Sequence, residues 1–299
     1  MSIFLTGANG YVGGTVALRL INAGYTIRGL VRDEEKARQV QALGIEPVIG
    51  NLDDLALLAK EARAADGVIH TADSDHLGAV QTFIQALAGS GKPFLHTSGS
   101  SVIGDDAQGL AVNPAVFDED STFVVAASKQ PRRDIELTVL GAAAQSIRAV
   151  VICPSSIYGT GTGVHTQSVQ IPWLITQAQE SGVVRVVGTG VNRWSNVHIH
   201  DVAELYLLAL QNAPAGAFYF VENGEASFLE IGQALARRLK LEPLGFWSVE
   251  QATERWGYLH AHYTFGTNSR VTAKRARQEL GWAPTHASVL EWIEQDMVL

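Results

Sequence analysis

The sequence predicts an α/β protein, a doubly wound parallel sheet with a smaller C-terminal lobe, and three observations carry that prediction. The chain opens on a short apolar run, residues 3–5, that passes at once into a glycine-rich turn. Apolar and β-branched runs then alternate with segments of helical periodicity. Most of these runs end in Gly, Ser, Thr, Asp or Asn, on the edge where such sheets bind ligands.

Residues 3–5, Ile-Phe-Leu, are the right size for a buried strand. Gly7, Gly10 and Gly13 follow, with Asn9, Tyr11 and Val12 between them. Helical spacing then sets in, with Val12, Val16, Ala17, Leu20 and Ile21 on one face. Strand, glycine turn and helix form the Rossmann-type arrangement that holds a nucleotide pyrophosphate on backbone N–H groups at a helix N-terminus. The glycines serve, in order, the turn, close approach of backbone to phosphate, and tight helix–strand packing.

A second strand spans 26–31 after the helix stop at Gly24, and it ends in Arg32-Asp33. At this place an acidic residue binds a ribose 2′-hydroxyl, whereas an arginine suits a 2′-phosphate. Arg32, with Lys36 one helical turn on, points to NADP(H) in preference to NAD(H). The alternative leaves Arg32 in solvent and turns Asp33 inward. A third strand, 45–49, runs toward Leu52 and Asp53, and Asp53 is also placed to cap a helix over 55–63. The fourth strand covers 67–72, with His70 packed in the core, and a helix over 76–88 follows. The fifth, 94–97, delivers Ser98 and Ser100 to its end, and a sixth spans 146–152. Beyond it come a helix over 170–181, a strand over 183–187, and a helix headed by Asp201 as N-cap. A strand at 218–221 and helices over 228–239 and 272–280 complete the pattern. Trp247, Trp256, Tyr258, His260, His262 and Tyr263 form an aromatic segment suited to an apolar pocket wall or to a plain core.

Composition narrows the function. A net charge of −8 argues against nucleic acid as the main partner, because phosphate contacts need a basic face. The single cysteine, Cys153, excludes an intrachain disulfide and the thiol pairs of zinc sites, which fits a reducing cytoplasm. No apolar run reaches the roughly 18 residues of a membrane span, and no leader pattern opens the chain, so no membrane partner is expected. Phosphate-loop, zinc-helix and nucleophile-elbow motifs are absent from the sequence, and no metal site is expected.

The glycine spacing from Thr6 to Gly13 resembles the extended short-chain dehydrogenase/reductase family, in its epimerase/dehydratase group. The segment from Pro154 to Tyr158-Gly159 and the block from Arg193 through Val197-His198 to Asp201 resemble it too, so the likeness covers nearly the whole chain. It implies roles for individual residues. Leu52 and Asp53 would border the adenine, Thr71 and Ala72 the nicotinamide ribose, and Pro154 with Ser156 the carboxamide. Lys129 would hold the ribose, while Ser98 or Ser100 would meet a substrate oxygen. Tyr158 and His165 are the remaining proton carriers near this edge, and Arg193 is the candidate for substrate binding. The division that follows is a cofactor domain over 1–153, rejoined by 183–215, and a substrate lobe over 154–182 and 216–299.

One departure limits the likeness. The family's catalysis rests on Tyr-x-x-x-Lys, in which the lysine lowers the phenol's proton affinity from the same helical face. Here Lys129 is present and the tyrosine position is Val125, and none of the seven tyrosines has a lysine four residues on. The pattern resembles an atypical branch of the family. It implies an NADP(H)-dependent oxidoreductase acting on a small carbonyl or sugar-like substrate, with a homodimer left open. The rival readings are an NADP(H)-binding sensor or scaffold without turnover, and an epimerase or dehydratase that borrows the cofactor without net redox change.

Overall fold

The computed structural model describes residues 1–241, 243–286 and 288–298. Its first half alternates strand and helix. In order these are β1 (Ser2–Thr6), α1 (Tyr11–Asn22), β2 (Thr26–Val31), α2 (Glu34–Gln41), β3 (Glu46–Ile49), α3 (Leu55–Ala64), β4 (Gly67–His70), α4 (Leu77–Leu87) and β5 (Pro93–Thr97). A long irregular strap leads to α5 (Gln130–Gly141), β6 (Arg148–Pro154) and β7 (Ser156–Tyr158). The second half holds α6 (Gln170–Ser181), β8 (Arg185–Val187), β9 (Arg193–His198), α7 (Ile199–Asn212), β10 (Ala217–Val221), β11 (Glu225–Ser227), α8 (Phe228–Leu239), β12 (Gly245–Trp247) and α9 (Val249–Trp256).

Seven strands form one parallel sheet in the order β10-β6-β5-β4-β1-β2-β3. Its central strands are apolar on both faces, as expected of a parallel sheet covered by helices on each side. On one face Ile3, Leu5, Ile69 and Ile152 pack with α1, α7 and a helix over Lys274–Leu280. On the other, Phe4, Val68, Phe94 and Val151 pack with α3, α4 and α5. A third core joins α6, α8 and α9 in the C-terminal lobe. No helix among the described residues is long and apolar enough to cross a membrane.

The lobe is assembled differently from the sequence expectation. β10, placed with the lobe in the expected division, is an edge strand of the large sheet, whereas β8 pairs with β12, and β9 lies between β11 and β7. All five residues of β10 are buried, and it finds its partner in β6, far away in sequence. Two caps also move by a residue or more. Asp54, not Asp53, caps α3 by accepting from Leu57 N at 3.1 Å. His198 caps α7, while the Asp201 carboxylate, inside the first turn, accepts from the backbone N–H groups of Thr285 and His286 at 3.0 Å each.

Candidate active site

The C-terminal ends of β1, β4, β5 and β6 open on a cleft of about 710 Å³. Tyr11, Val12, Thr71, Ser98, Ser101, Lys129, Arg132, Pro154, Ile157, Trp194 and His260 are among the residues lining it. Tyr11 and Val12, at the exit of the glycine turn, border it. Gly7 holds φ +77°, a conformation that a side chain disfavours, and its own Cβ would lie 2.9 Å from Thr71 Oγ1 and 3.0 Å from the Ala72 backbone. A Cβ on Gly13 would lie 2.3 Å from the Gly7 carbonyl oxygen, so α1 can approach β1 only because this residue is glycine. Gly10 begins α1 with no side-chain cap and no acidic residue in the first turn. That leaves a set of backbone donors suited to an anion. A loop over 159–165 closes against this turn, where His165 N donates to the Asn9 carbonyl at 3.3 Å and Tyr11 OH donates to the Gly159 carbonyl at 2.8 Å.

At the end of β2 the two candidates for the ribose separate. Asp33 caps α2, accepting from Lys36 N at 2.9 Å, and is ion-paired with the Lys36 ammonium. These hydrogen bonds from Lys36 hold its carboxyl below the usual carboxylate range. Arg32 is exposed and has no hydrogen-bond or ion-pair partner among the described residues. Leu52 packs against the core beside α3, and Asp53 is exposed with His76 Nε2 at 3.2 Å from its Oδ1. Thr71 lines the cleft and donates to the Thr6 carbonyl at 2.7 Å.

Several expected side chains are engaged elsewhere. Ser98 borders the cleft, but its hydroxyl donates to the buried Glu136 carboxylate, which also pairs with Arg133 at 2.6 Å. Ser100 is buried, with its Oγ 2.8 Å from Ser269 Oγ, and Ser269 in turn donates to the Ser100 carbonyl at 2.9 Å. The hydroxyl hydrogens of Ser98 and Ser100 are therefore committed to the protein. Tyr158 is corrected to a packing residue: it is 1 % exposed, wedged against His198 and Trp292, and donates to the His286 carbonyl at 3.0 Å. His165 is exposed outside the cleft. Ser156 borders a separate narrow space beside Leu174 and Phe228, while Pro154, Ser155 and Ile157 face the cleft. Arg193 is corrected as well. Its guanidinium pairs with Glu225 at 2.9 Å and Glu230 at 3.2 Å, and its neighbour Trp194 faces the cleft, since successive side chains on a strand point to opposite sides.

The charged groups that do reach the cleft are Lys129, Arg132 and Asp75. Arg132 grips Asp75 in a fork, Nε to Oδ1 at 2.8 Å and Nη2 to Oδ2 at 2.6 Å, and these bonds hold the Asp75 carboxyl below its usual range. Burial pulls Lys129 below the ordinary lysine range, the Arg132 charge adds to the effect, and Asp75 opposes it. Its Nζ lies 5.5 Å from the centre of the Tyr263 ring. His260 is brought in by the aromatic segment and lies against Trp173, and burial followed by the Lys129 charge lowers its proton affinity. Asp75, Ser101 and Arg132 were given no site role from the sequence, where Arg132 figured only, with Arg133 and Glu136, in the likeness to an atypical branch of the family.

The sequence model of the NAD dependent epimerase/dehydratase family matches residues 3–221. Among relatives, an uncharacterized protein of Schizosaccharomyces pombe is 33% identical over 99% of this chain and 99% of its own. A 4-hydroxy-2-methyl-3-oxo-4-farnesyl-3,4-dihydroquinoline-1-oxide ketoreductase of Stigmatella aurantiaca is 28% identical over 99% of this chain and 96% of its own. Among solved structures, a dTDP-glucose 4,6-dehydratase of Streptomyces venezuelae with NAD bound superposes with a TM-score of 0.78. That likeness has 18% identity, covers 99% of this chain and 95% of the other, and shows the shared fold.

Proposed function

Because the chain belongs to the NAD dependent epimerase/dehydratase family, we propose that it is an NADP(H)-dependent oxidoreductase acting on a small carbonyl compound. The observation that carries the cofactor reading is the state of the β2 end, with Asp33 spent on the α2 cap and Arg32 in solvent without a partner among the described residues. The donor set at the glycine turn suits a pyrophosphate, and Gly13 leaves the close approach open. In this reading backbone N–H groups at Tyr11 and Val12 hold the pyrophosphate, with Asn9 beside them, and Arg32 takes the 2′-phosphate. Leu52 and Asp53 border the adenine, Thr71, Ala72 and Lys129 the nicotinamide ribose, and Pro154 the carboxamide. When bound, the cofactor supplies or accepts a hydride in the cleft. The ketoreductase named among the relatives favours a carbonyl substrate, and the lone buried Cys153 suits a reducing compartment such as the cytoplasm.

Calorimetry with NADPH and NADH, followed by NADPH consumption over a panel of ketones and aldehydes, tests the reading. Arg32→Ala should weaken NADPH about 10- to 100-fold, the equivalent of the roughly 1.5–3 kcal/mol of a charge-assisted hydrogen bond, and leave NADH unchanged. Equal weakening of both cofactors would remove the arginine from the argument, and no heat with either would remove the cofactor. A second reading, cofactor binding without turnover, is favoured by Val125 and by the engaged hydroxyls of Ser98 and Ser100. It predicts NADPH binding with no consumption across the panel.

A further inference from the structure

The cleft lacks the family's tyrosine, and its two expected serine hydroxyls are committed elsewhere, so a substrate oxygen arriving there must be met by other groups. Gly99, between those serines, leaves an opening. A Cβ placed on it would lie 3.5 Å from Arg132 Nη1, so the guanidinium reaches the spot a side chain at this position would occupy. The same Nη1 donates to Ser101 Oγ at 3.3 Å. Asp75 takes Nε and Nη2 and fixes the plane of the fork. A guanidinium carries five N–H groups, so one on Nη1 and one on Nη2 remain for a ligand. Ser101 Oγ accepts from Arg132, and its own hydrogen goes to no described group.

A proton source is also at hand. Tyr11 commits its hydroxyl hydrogen to the Gly159 carbonyl. His260 lies with Nδ1 3.4 Å from Thr264 Oγ1, and burial keeps it neutral near pH 7. The Lys129 ammonium, with its three N–H groups, lines the cleft and makes no hydrogen bond to any described residue.

We propose that Arg132 Nη1, beside Gly99, and Ser101 Oγ, its hydrogen-bond partner, receive the reacting carbonyl oxygen, and that Lys129 Nζ delivers its proton in place of the absent tyrosine. The inference rests on the carbonyl-reduction reading above. As hydride adds to the carbonyl carbon, the π pair of the C–O bond moves onto oxygen, and the guanidinium and the Ser101 hydroxyl hold the resulting alkoxide. One N–H bond of the Lys129 ammonium then breaks as the O–H bond of the alcohol forms, and the neutral amine regains a proton from water. Burial beside Arg132 loosens the Lys129 proton, which favours the transfer. Asp75 acts through Arg132 and is a positioning residue. Two cations against one carboxylate also draw a substrate that is itself anionic, and a 3-oxo acid combines that charge with the ketone.

The test uses acetoacetate as the probe, in calorimetry on the unloaded protein and in single-turnover reduction with NADPH. Arg132→Met should lower the reduction rate about 100- to 1000-fold, the usual cost of removing an oxyanion donor. It should also weaken acetoacetate binding while leaving the heat of NADPH binding unchanged. Ser101→Ala keeps the Arg132–Asp75 pair intact and should lower both acetoacetate readouts in the same direction, which covers a failure of the arginine variant to fold. The wild-type rate should fall as pH rises through the Lys129 titration. Lys129→Arg, which keeps the charge but holds its proton, should lose most of the rate and that alkaline limb together. Acetoacetate that does not bind the wild-type protein, or variants within twofold of it, would overturn the inference. Failure of the wild type to bind NADPH would instead overturn the reading on which it rests.

Discussion

A single methyl group tests the glycine turn. On Gly13 it would lie 2.3 Å from the Gly7 carbonyl oxygen and 2.5 Å from Thr71 Oγ1, both in well-packed surroundings. Gly13→Ala should therefore force α1 away from β1, at a cost of about 1–3 kcal/mol for overpacking, and weaken NADPH binding with it. Urea denaturation and calorimetry check the two effects, and a variant of unchanged stability would show that the turn adjusts freely. Gly7, Gly10 and Gly13 were legible in the sequence because their spacing falls between an apolar strand and an amphipathic helix. The destinations of side-chain hydrogens were not. Ser98 and Ser100 read as donors on a strand end, yet their partners, Glu136 on α5 and Ser269 near the C-terminus, are brought in by tertiary packing. Arg193 and Trp194 posed the same problem. β9 is largely buried on both faces, so periodicity could not say which of the two would face the cleft.

At the scale of the element, the segment before α5 explains why the missing tyrosine is more than a substitution. Residues 121–126 are irregular, a 3₁₀ turn covers Ala127–Lys129, and α5 starts at Gln130 with Pro131 in its first turn. Lys129 N donates to the Ala126 carbonyl at 2.8 Å, so the helical bonding begins after Val125. The four-residue spacing that pairs tyrosine with lysine on one face requires a helix through both positions. Val125→Tyr should accordingly leave NADPH consumption unchanged, and a clear gain in rate would show that the segment can become helical. The sequence displayed the Lys129 position and the lost tyrosine. It did not display where the helix starts. The same holds for α7, where Asp201 read as a cap and instead fastens residues 285 and 286 to the first turn, a contact between segments distant in sequence.

Across the whole molecule, the large sheet buries two stacked imidazoles beneath the cleft, His70 on β4 and His96 on β5, with ring centres 5.5 Å apart. Burial pulls His70 down to about 4, against Asp73 and with His76 adding slightly. Burial, His70 and Arg132 pull His96 down to about 3, against Asp75. The unfolded chain takes up protons at these positions near the ordinary histidine value of 6.5, and the folded protein does not until far lower pH. The unfolded state thus binds more protons within that window, and folding stability should fall as pH drops from about 6.5 toward 4. Among the described residues neither ring nitrogen of His96 has a hydrogen-bond partner, so His96→Leu should flatten this acid loss and cost little at pH 8. Urea denaturation at pH 5 and pH 8 measures both, and an unchanged acid slope would exclude His96 as a source.

By itself the sequence determined the parallel sheet, the glycine turn and Arg32 at the end of a strand, because each follows from periodicity and backbone sterics within a short window, while Lys129 stood out only through the family resemblance. Tertiary structure decided that β10 closes the large sheet, that the expected serines, Tyr158 and Arg193 are engaged elsewhere, and that Arg132, beside Gly99, meets Ser101 and Asp75. Those outcomes depend on which distant segments arrive as neighbours. A hydrogen bond or an ion pair belongs to the meeting of two groups, and no local pattern in the chain records it.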